Sequence, residues 1–301
     1  MRVALVTSER MPQDNWHDAD SALLAAELAR LGVAVGTPAW ENGDGWADYD
    51  VLVLQSPWSM WRKLAEFDQW LAEREAGGSR MLNPPDVLRI GSSKRYLTTL
   101  AEAGVVTVPT TIIGPDAREQ ILCAYPGKSA SRRTVVIKPL SSGGALDTRE
   151  FTAERLEEAV AHAAYLIDSG AGALVQPYVE AIDTHRELGI LTLRGELSHA
   201  ITKRAILRPG SDEREFHPDP LPHQLTAAQA AVAERAYQAF LGLRPDGAAP
   251  LLSVRLDFLI DPETEPGLLL LEVEAVAPVK FFTLHRERAA AFARAVADLA
   301  R

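Results

Sequence analysis

Two apolar stretches near the C-terminus carry charged residues at alternate positions. The first contains Arg255 and Asp257, and the second contains Glu272 and Glu274. Because neighbouring side chains of a strand point to opposite faces, a hairpin of the two stretches would gather these charges on one side and turn Leu271 to the other. Crowded carboxylates are costly unless a cation lies among them, so the pattern predicts a Mg²⁺ site. A solvated charged sheet face is the alternative.

Three lysines stand at the ends of predicted elements. Lys138 ends an apolar strand and precedes a proline and a small-residue loop with Ser142 and Gly143. Backbone N–H groups of such a loop can bind phosphate, because glycine allows a close approach. Lys94 begins a predicted helix and Lys203 ends a hairpin strand; simple solvation is the alternative for each of them. Neither the P-loop pattern nor the dinucleotide-binding glycine pattern is present.

A third feature is the strand exit Gln176, Pro177, Tyr178, Val179 and Glu180. A strand that ends in proline leaves backbone donors and acceptors beside apolar side chains, since proline has no N–H to continue the ladder. Such an edge can pair with an adenine ring through main-chain hydrogen bonds. An ordinary strand-to-loop exit is the alternative.

Other chemistries find little support in the sequence. Cys123 is the single cysteine, so no intramolecular disulfide can form. The serine-hydrolase elbow pattern is missing, and the seven histidines show no zinc-type spacing. His199 shares a predicted strand face with Lys203 and either reaches the site or is a structural polar residue.

The elements that would position these residues alternate between strands and helices. The first region reads as an open α/β unit, because short buried strands are separated by a helix with leucines at helical spacing. Thr226 and Gln229 form a capping-box pattern for a later helix. The predicted strands or extended segments are 3–7, 33–37, 50–54, 105–113, 134–138, 173–176, a hairpin turning at Gly195, and the hairpin 251–274. The predicted helices are about 19–31, 64–76, 92–103, 152–169, 226–240 and 285–301.

Composition limits the class of protein. The 301-residue chain has a net charge of −10, which argues against nucleic-acid or anionic-membrane partners. Its 47% apolar content fits a globular core, and no window reaches the roughly 18 apolar residues of a membrane span. The short apolar run at the N-terminus fits a buried strand better than a signal peptide. We therefore expect a soluble, cytoplasmic protein that is a monomer or a homodimer.

The order of these motifs, from about residue 83 to residue 282, resembles that of the ATP-grasp superfamily, and within it the glutathione-synthetase-like ligases. The first region, with Ser56, Pro57 and Trp58 after a buried strand, resembles the smaller domain of a subgroup that includes the O-ureido-serine cyclo-ligase of cycloserine biosynthesis. The resemblance implies an α/β fold (α+β ATP-grasp). It also implies an open N-terminal α/β domain (1–90), a central lid subdomain (91–178) and a C-terminal metal-binding subdomain (179–301), with nucleotide between the last two sheets.

The resemblance also implies a role for each candidate residue. Its ligands would be ATP and one or two Mg²⁺ ions, with Mn²⁺ as a substitute. Lys94 and Lys138, with the Ser142–Gly143 loop, would hold the α- and β-phosphates, and Lys203 would face the γ-phosphate. The Tyr178 and Val179 backbone would bind adenine, with Gln176 or Glu180 at its amine, and Glu187 would bind the ribose. Asp257, Glu272 and Glu274 would bind the metal, and Arg255 would stabilise the acyl phosphate and the tetrahedral intermediate. Glu274 departs from the family, which usually has Asn at the last metal position. The segment 275–280 is also less acidic than the subgroup pattern.

The implied activity is ligation of a small-molecule carboxylate to an amine-type nitrogen, within one molecule or between two, in amino-acid or natural-product biosynthesis. The carboxylate would form an acyl phosphate, and release of ADP and phosphate would follow. One alternative is a kinase on the same fold, and another is an ATP-binding module without catalysis. Candidates for the acceptor pocket are Trp58, Trp61, Arg62, Arg204, Arg208 and the segment 209–223. The two tryptophans could equally pack a domain interface, and the two later arginines could be surface charges.

Overall fold

In the computed structural model the chain folds around three sheets. The structure describes residues 1–42, 45–127, 133–207, 218–245, 248 and 251–301. Each sheet falls within one of the three predicted ranges: β1–β4 before residue 90, β5–β8 between 91 and 178, and β9–β13 after 179. In these described ranges no helix is long and apolar enough to cross a membrane.

The first sheet is parallel, with the order β2-β1-β3-β4. Its two central strands carry buried apolar runs, residues 3–6 and 51–54, because helices cover both faces, as in other parallel sheets. The elements are β1 (Arg2–Thr7), α1 (Asp20–Arg30), β2 (Ala34–Gly36), β3 (Val51–Ser56), α2 (Leu64–Ala76) and β4 (Met81–Leu82). This arrangement confirms the predicted open α/β unit.

The second sheet is antiparallel, with the order β5-β8-β6-β7. The helices α5 and α6 pack on one face of it and bury a core that includes Ile121, Ile137 and Ala163. The elements that lead into and form this region are α3 (Pro85–Gly91), α4 (Tyr96–Glu102), β5 (Thr111–Ile112), α5 (Ala117–Ala124), β6 (Thr134–Pro139), β7 (Arg149–Thr152), α6 (Leu156–Asp168) and β8 (Ala173–Pro177).

The third sheet is antiparallel, with the order β11-β10-β9-β12-β13. One face packs on α4 and α8 through Leu97, Phe240, Leu256 and Phe258, so the opposite face is available for charged side chains. The elements are α7 (Ile182–His185), β9 (Glu187–Leu193), β10 (Glu196–Lys203), β11 (Leu221–His223), α8 (Ala227–Leu241), β12 (Arg255–Ile260), β13 (Leu268–Glu274) and α9 (Arg286–Leu299).

A β-bulge in the β12–β13 hairpin overturns one sequence prediction. Asp257 lies opposite Glu272, but the next residue, Phe258, lies opposite Leu270, so Leu271 has no partner. A bulge inserts one residue and reverses the alternation beyond it. Leu271 therefore lines the same cavity as Glu272, and the prediction that it points away from the acids is wrong.

Other differences are local. The helix predicted from Ser92 begins at Tyr96 without a side-chain cap. Pro85 starts the separate helix α3, which suits proline because the first helical position needs no N–H bond. Of the extended segment 105–113, only Thr111–Ile112 is a strand. The predicted loop 209–223 ends in strand β11, and its residues 209–217 lie outside the described part of the chain.

Two sequence predictions about local structure agree with the structure. The Thr226 side chain accepts from the Gln229 N–H, and the Gln229 side chain accepts in turn from the Thr226 N–H, which completes the capping box of α8. The hairpin register also brings the four charged residues of β12 and β13 opposite each other. Both features depend on residues a few positions apart or on strand alternation.

Asn83 ties the first region to the hairpin that carries the charges. Its Nδ2 donates to the carbonyls of Ser253 (2.6 Å) and Ala275 (2.7 Å), and its Oδ1 accepts from the N–H groups of Leu252 (2.9 Å) and Ser253 (3.3 Å). The residue is 5% exposed, so its loss would leave buried backbone groups without partners.

We expect Asn83→Ala to lower the free energy of unfolding by about 3 kcal/mol or more, because an unsatisfied buried group costs roughly 1–3 kcal/mol. Urea denaturation measures this loss. Asn42→Ala, at an exposed position, is the control and should stay within about 0.5 kcal/mol of the parent. Equal effects of the two substitutions would contradict the assigned role of Asn83.

Candidate active site

A cleft with a cavity volume of about 140 Å³ lies between the second and third sheets, and the empty space reaches about 910 Å³ when the open solvent at its mouth is included. All of the predicted site residues except Glu180 line it: Lys94, Lys138, Ser142, Gly143, Gln176, Tyr178, Val179, Glu187, Lys203, Arg255, Asp257, Glu272 and Glu274. Residues that are up to 180 positions apart in the chain therefore meet in one cavity.

Arg255 lies at the centre of the acidic group. Its Nε and Nη2 donate to the two Asp257 carboxylate oxygens, both at 2.8 Å, and Nη2 lies 3.2 Å from Glu274 Oε1. Burial alone would lower the pKa of Arg255, but the charges of Asp257 and Glu274 raise it overall, so the guanidinium stays charged. Burial also raises the pKa of Glu274, and Arg255 opposes that shift.

Lys94 and Lys138 approach the acids from the other side of the cleft. Lys94 Nζ donates to the Ser142 carbonyl (2.5 Å) and lies 3.0 Å from Glu272 Oε1. Lys138 is 7% exposed, and burial lowers its pKa to about 8; Glu272 opposes this shift and Lys94 adds to it. The cleft therefore holds two cations beside the small-residue loop, as a phosphate site requires.

Glu187 and Lys203, which were predicted to bind different parts of the nucleotide, form a buried ion pair with each other. They are neighbours on β9 and β10. Burial raises the pKa of Glu187, and Lys203 opposes the shift. Each side chain thus neutralises the other at the edge of the cleft.

The strand exit uses some of its polar groups within the protein. The Tyr178 N–H donates to the Thr134 carbonyl (2.9 Å), and the Val179 carbonyl accepts from the Ile182 N–H (3.2 Å). The Gln176 amide donates to Thr110 Oγ1 (2.8 Å). These three groups are therefore engaged before any ligand is considered.

An apolar wall of the cleft was missed by the sequence reasoning. Val108, Val136, Ile182, Leu259 and Leu271 line the cleft next to the strand exit. An apolar wall of this kind suits a heterocyclic base. Strand alternation gave one usable signal, since Val136 stands two residues before Lys138 and must share its face.

A smaller pocket with a cavity volume of about 20 Å³ adjoins the cleft and shares Gly143, Gly144, Glu272 and Glu274 with it. Its other wall is aromatic: Trp16, Trp58 and Trp61, all from the first region. Trp58 was predicted as either a substrate contact or packing, and it is buried with its Nε1 donating to the Ala277 carbonyl (2.9 Å). Trp16 was not predicted, because it lies in an irregular loop.

The two glycines leave no room for side chains. A Cβ at Gly143 would lie 2.5 Å from Trp61 Nε1, and one at Gly144 would lie 2.0 Å from Trp16 Cζ2. Gly144 also has a φ of +57°, which L side chains rarely adopt. Glycine is therefore needed at both positions for the loop to approach the tryptophans.

The remaining candidates lie elsewhere. Arg62 pairs with Asp147 (2.5 Å) and Arg204 with Asp219 (3.2 Å), and neither arginine lines the cleft. Arg208 lies outside the described residues. His199 bonds the Lys280 carbonyl through Nε2 (2.7 Å) rather than reaching the cleft.

The first region of the chain matches a known domain family. Residues 3–83 match the family described as the N-terminal domain of D-cycloserine synthetase DcsG. The cycloserine biosynthesis protein DcsG of Streptomyces lavendulae is 31% identical over 289 residues, which cover 93% of this chain and 94% of that protein.

Solved structures extend the likeness to the whole chain. The crystal structure of D-cycloserine synthetase DcsG has a TM-score of 0.89 and 29% identity, and covers 100% of both chains. The ATP-grasp ligase PsnB, solved with a phosphomimetic variant of its minimal precursor, Mg and ADP, has a TM-score of 0.62 at 15% identity over 99% of this chain and 98% of that one. At that identity the second likeness concerns the fold alone.

Proposed function

Because the chain belongs to the DcsG family of ATP-grasp ligases, we propose that it closes a ring within one small amino-acid substrate and forms a cycloserine-type product. The family makes it an ATP-dependent ligase of antibiotic biosynthesis. The observation that carries the proposal is the cleft in which three lysines and Arg255 face four carboxylates.

The cations of the cleft take the phosphates in this proposal. Lys94 and Lys138 bind the α- and β-phosphates with the N–H groups of the Ser142–Gly143 loop, and Lys203 faces the γ-phosphate. Their support is burial, since a charge in a water-poor cleft attracts phosphate more strongly than a solvated one. The Val179 N–H is the backbone donor proposed for adenine, beside the apolar wall.

Glu187 is the proposed ribose ligand, with Gln176 and Glu180 as candidates at the adenine amine. Glu187 is supported by its place on the cleft wall next to Lys203. Gln176 lines the cleft and its amide already donates to Thr110, so its oxygen is the atom proposed to accept from the amine. Glu180 has the weaker support, because it does not line the cleft.

The carboxylates fit Mg²⁺ by their chemistry, since this ion takes oxygen ligands and binds through one or two carboxylates plus substrate phosphates. No group of three or more His, Cys, Asp or Glu among the described residues is arranged to hold a metal alone. Glu272 and Glu274 are the first candidates, because their side chains are 21% and 22% exposed. Asp257 is a third candidate, although both of its oxygens are bonded to Arg255. When bound, the ion would neutralise part of the phosphate charge. We propose one ion or two at these carboxylates, with Mn²⁺ as a substitute.

In the proposed reaction no residue of the protein forms a covalent bond to the substrate. The substrate carboxylate attacks the γ-phosphorus and releases ADP, and the nitrogen then attacks the acyl carbon and releases phosphate and a proton. Arg255 stabilises the negative charge that develops in both steps, as buried preorganised donors do. Trp58 and Trp61 bound the cavity proposed for the acyl substrate.

Incubation with ATP, Mg²⁺ and O-ureido-serine, beside a panel of amino acids, tests the proposed function. We expect ADP and phosphate in equal amounts and a ring-closed product by mass spectrometry. A stable phosphorylated product would support the kinase alternative, and nucleotide binding without ADP release would support the non-catalytic one. A product that joins two substrate molecules would overturn ring closure and keep the ligase.

Lys138 predicts a pH dependence of ATP binding. The ammonium form binds phosphate, and its lowered pKa of about 8 means that this form is lost as the pH rises through 8. The dissociation constant of ATP should therefore increase about tenfold between pH 7 and pH 9. Isothermal titration calorimetry across this range measures it. Lys138→Arg, which stays charged, should flatten the profile; an equally steep profile in that variant would contradict the assignment.

A further inference from the structure

One carboxylate of the first region holds the chain segment that follows the metal-binding hairpin. Asp20, the first residue of α1, is 3% exposed. Its Oδ2 accepts from the N–H groups of Lys280 (2.6 Å) and Phe281 (3.1 Å), and its Oδ1 accepts from the N–H group of Phe282 (2.8 Å). Three successive backbone donors thus meet a single side chain from the other end of the molecule.

These bonds support an unusual backbone conformation. Phe281 has a φ of +55°, a region that costs an L residue roughly 1–2 kcal/mol. Such a conformation persists only where the surrounding structure holds it in place. Here the Asp20 carboxylate holds it, because it accepts hydrogen bonds from the N–H groups of Phe281 and of both its neighbours. The carboxylate thereby determines the direction in which the Phe281 side chain leaves the segment.

The held segment contacts the guanidinium of Arg255. Cζ of Arg255 lies 5.7 Å from the centre of the Phe281 ring, within the range of a cation–π contact. Nη1 of Arg255 donates to the Val279 carbonyl at 3.2 Å. The side of Arg255 that Asp257 and Glu274 do not bind is therefore positioned by residues 279–281.

The positive charge of Lys280 reduces the cost of burying the Asp20 carboxylate. Burial raises the pKa of Asp20, and the positive charge of Lys280 opposes the shift. Lys280 Nζ donates to Gln55 Oε1 (2.9 Å) and to the Pro278 carbonyl (3.1 Å), so the ammonium is itself fixed between the first region and the segment. The Lys280 ammonium is therefore held by buried contacts and is not a solvated surface charge.

We propose that Asp20 is a positioning residue for the ligase reaction, which acts on Arg255 through the segment 279–282. The inference rests on the proposed function, in which Arg255 stabilises the developing negative charge. Asp20 does not line the cleft proposed for substrate and nucleotide. Its removal should therefore lower the turnover number and leave nucleotide binding unchanged, because a small misplacement of a catalytic group is costly.

Asp20→Asn is the test variant, because it keeps the size and removes the second oxygen acceptor and the charge. We expect its kcat with saturating ATP, Mg²⁺ and O-ureido-serine to fall about tenfold or more, with an unchanged dissociation constant for ADP. The matched control is Asp86→Asn, which breaks a similarly paired contact to Arg244 (2.8 Å) far from Arg255. That control should lose stability and keep its kcat. A wild-type kcat for Asp20→Asn would overturn the proposal.

A double-mutant cycle with Arg255→Lys separates positioning from general destabilisation. If Asp20 acts through Arg255, adding Asp20→Asn to Arg255→Lys should change kcat less than twofold, because interacting residues are not additive. Fully multiplicative losses would overturn the positioning role and leave the proposed function intact. A wild-type kcat for Arg255→Lys would overturn the role of Arg255 and the present inference with it.

A second variant keeps the proposal testable if Asp20→Asn does not fold. Phe281→Leu leaves the three backbone bonds to Asp20 in place and removes only the aromatic face beside Arg255. We expect a kcat loss of about threefold that disappears in the Arg255→Lys background. The same loss in both backgrounds would contradict the proposed path.

Discussion

Arg255→Lys should lower the turnover number by about 10²-fold with little change in nucleotide affinity. Arg255 is 1% exposed and uses Nε and both terminal nitrogens for contacts with Asp257, Glu274 and Val279. A lysine keeps the charge but has one point donor in place of the planar fork. Loss of a preorganised donor to developing oxyanion charge costs roughly 10²–10³-fold in rate. ADP formation with saturating ATP, Mg²⁺ and O-ureido-serine measures the effect.

The size of this loss has to be separated from stability. Arg255→Ala should lower the rate by at least the same factor, but it would also leave the buried carboxylate of Asp257 and the partly buried carboxylate of Glu274 without their partner, and breaking a buried pair costs roughly 3–5 kcal/mol. Arg244→Lys is the matched control, because Arg244 is a buried arginine paired with Asp86 away from the cleft. Turnover close to that of the parent in Arg255→Lys would contradict the catalytic role.

Glu272→Gln should have the second largest effect, a loss of roughly 10²-fold in ligase activity at 1 mM Mg²⁺, on the order of the 10–100-fold that metal-site changes cost. Glu272 faces the cleft and lies 3.0 Å from Lys94, so it stands between the lysines proposed to bind phosphate and the other acids of the hairpin. Replacing its charge by an amide weakens the attraction for a hard cation. Excess Mg²⁺ should therefore restore part of the activity.

A titration of activity against Mg²⁺ concentration checks this expectation, with half-saturation moving to higher concentration. Glu263→Gln, in the exposed turn of the same hairpin, is the control and should match the parent. A lower maximal rate with an unchanged half-saturation concentration of Mg²⁺ would show that Glu272 does not bind the metal. Chelation of Mg²⁺ should abolish the parent activity in either case.

Features set by neighbouring residues were readable from the sequence. The alternation of Arg255 and Asp257 requires both to share a face, and the spacing of Thr226 and Gln229 requires one helical turn. The shared cleft could also be anticipated, because the order of the motifs resembles a known superfamily. By contrast, the bulge at Leu271 depends on how two strands pair, and strand alternation within either strand carries no sign of it.

Contacts between distant parts of the chain were not readable. Asp20 and Phe282 are 262 positions apart, and in the sequence Asp20 is an ordinary acid in the first turn of a helix. Trp16 stands in a loop without periodicity, so no pattern indicated that it would meet Gly144.

The contact of the two glycines with the tryptophans would limit changes of substrate if the acyl substrate binds beside Trp61, as proposed. A larger substrate would then need a smaller residue at Trp61, and that change also frees the space that excludes a side chain at Gly143. Conversely, any residue larger than glycine at 143 requires a smaller aromatic neighbour. Directed evolution of substrate range should therefore randomise Gly143 together with Trp61 and leave Gly144 unchanged, because the φ of +57° strains any side chain at 144 even beside a smaller residue at Trp16.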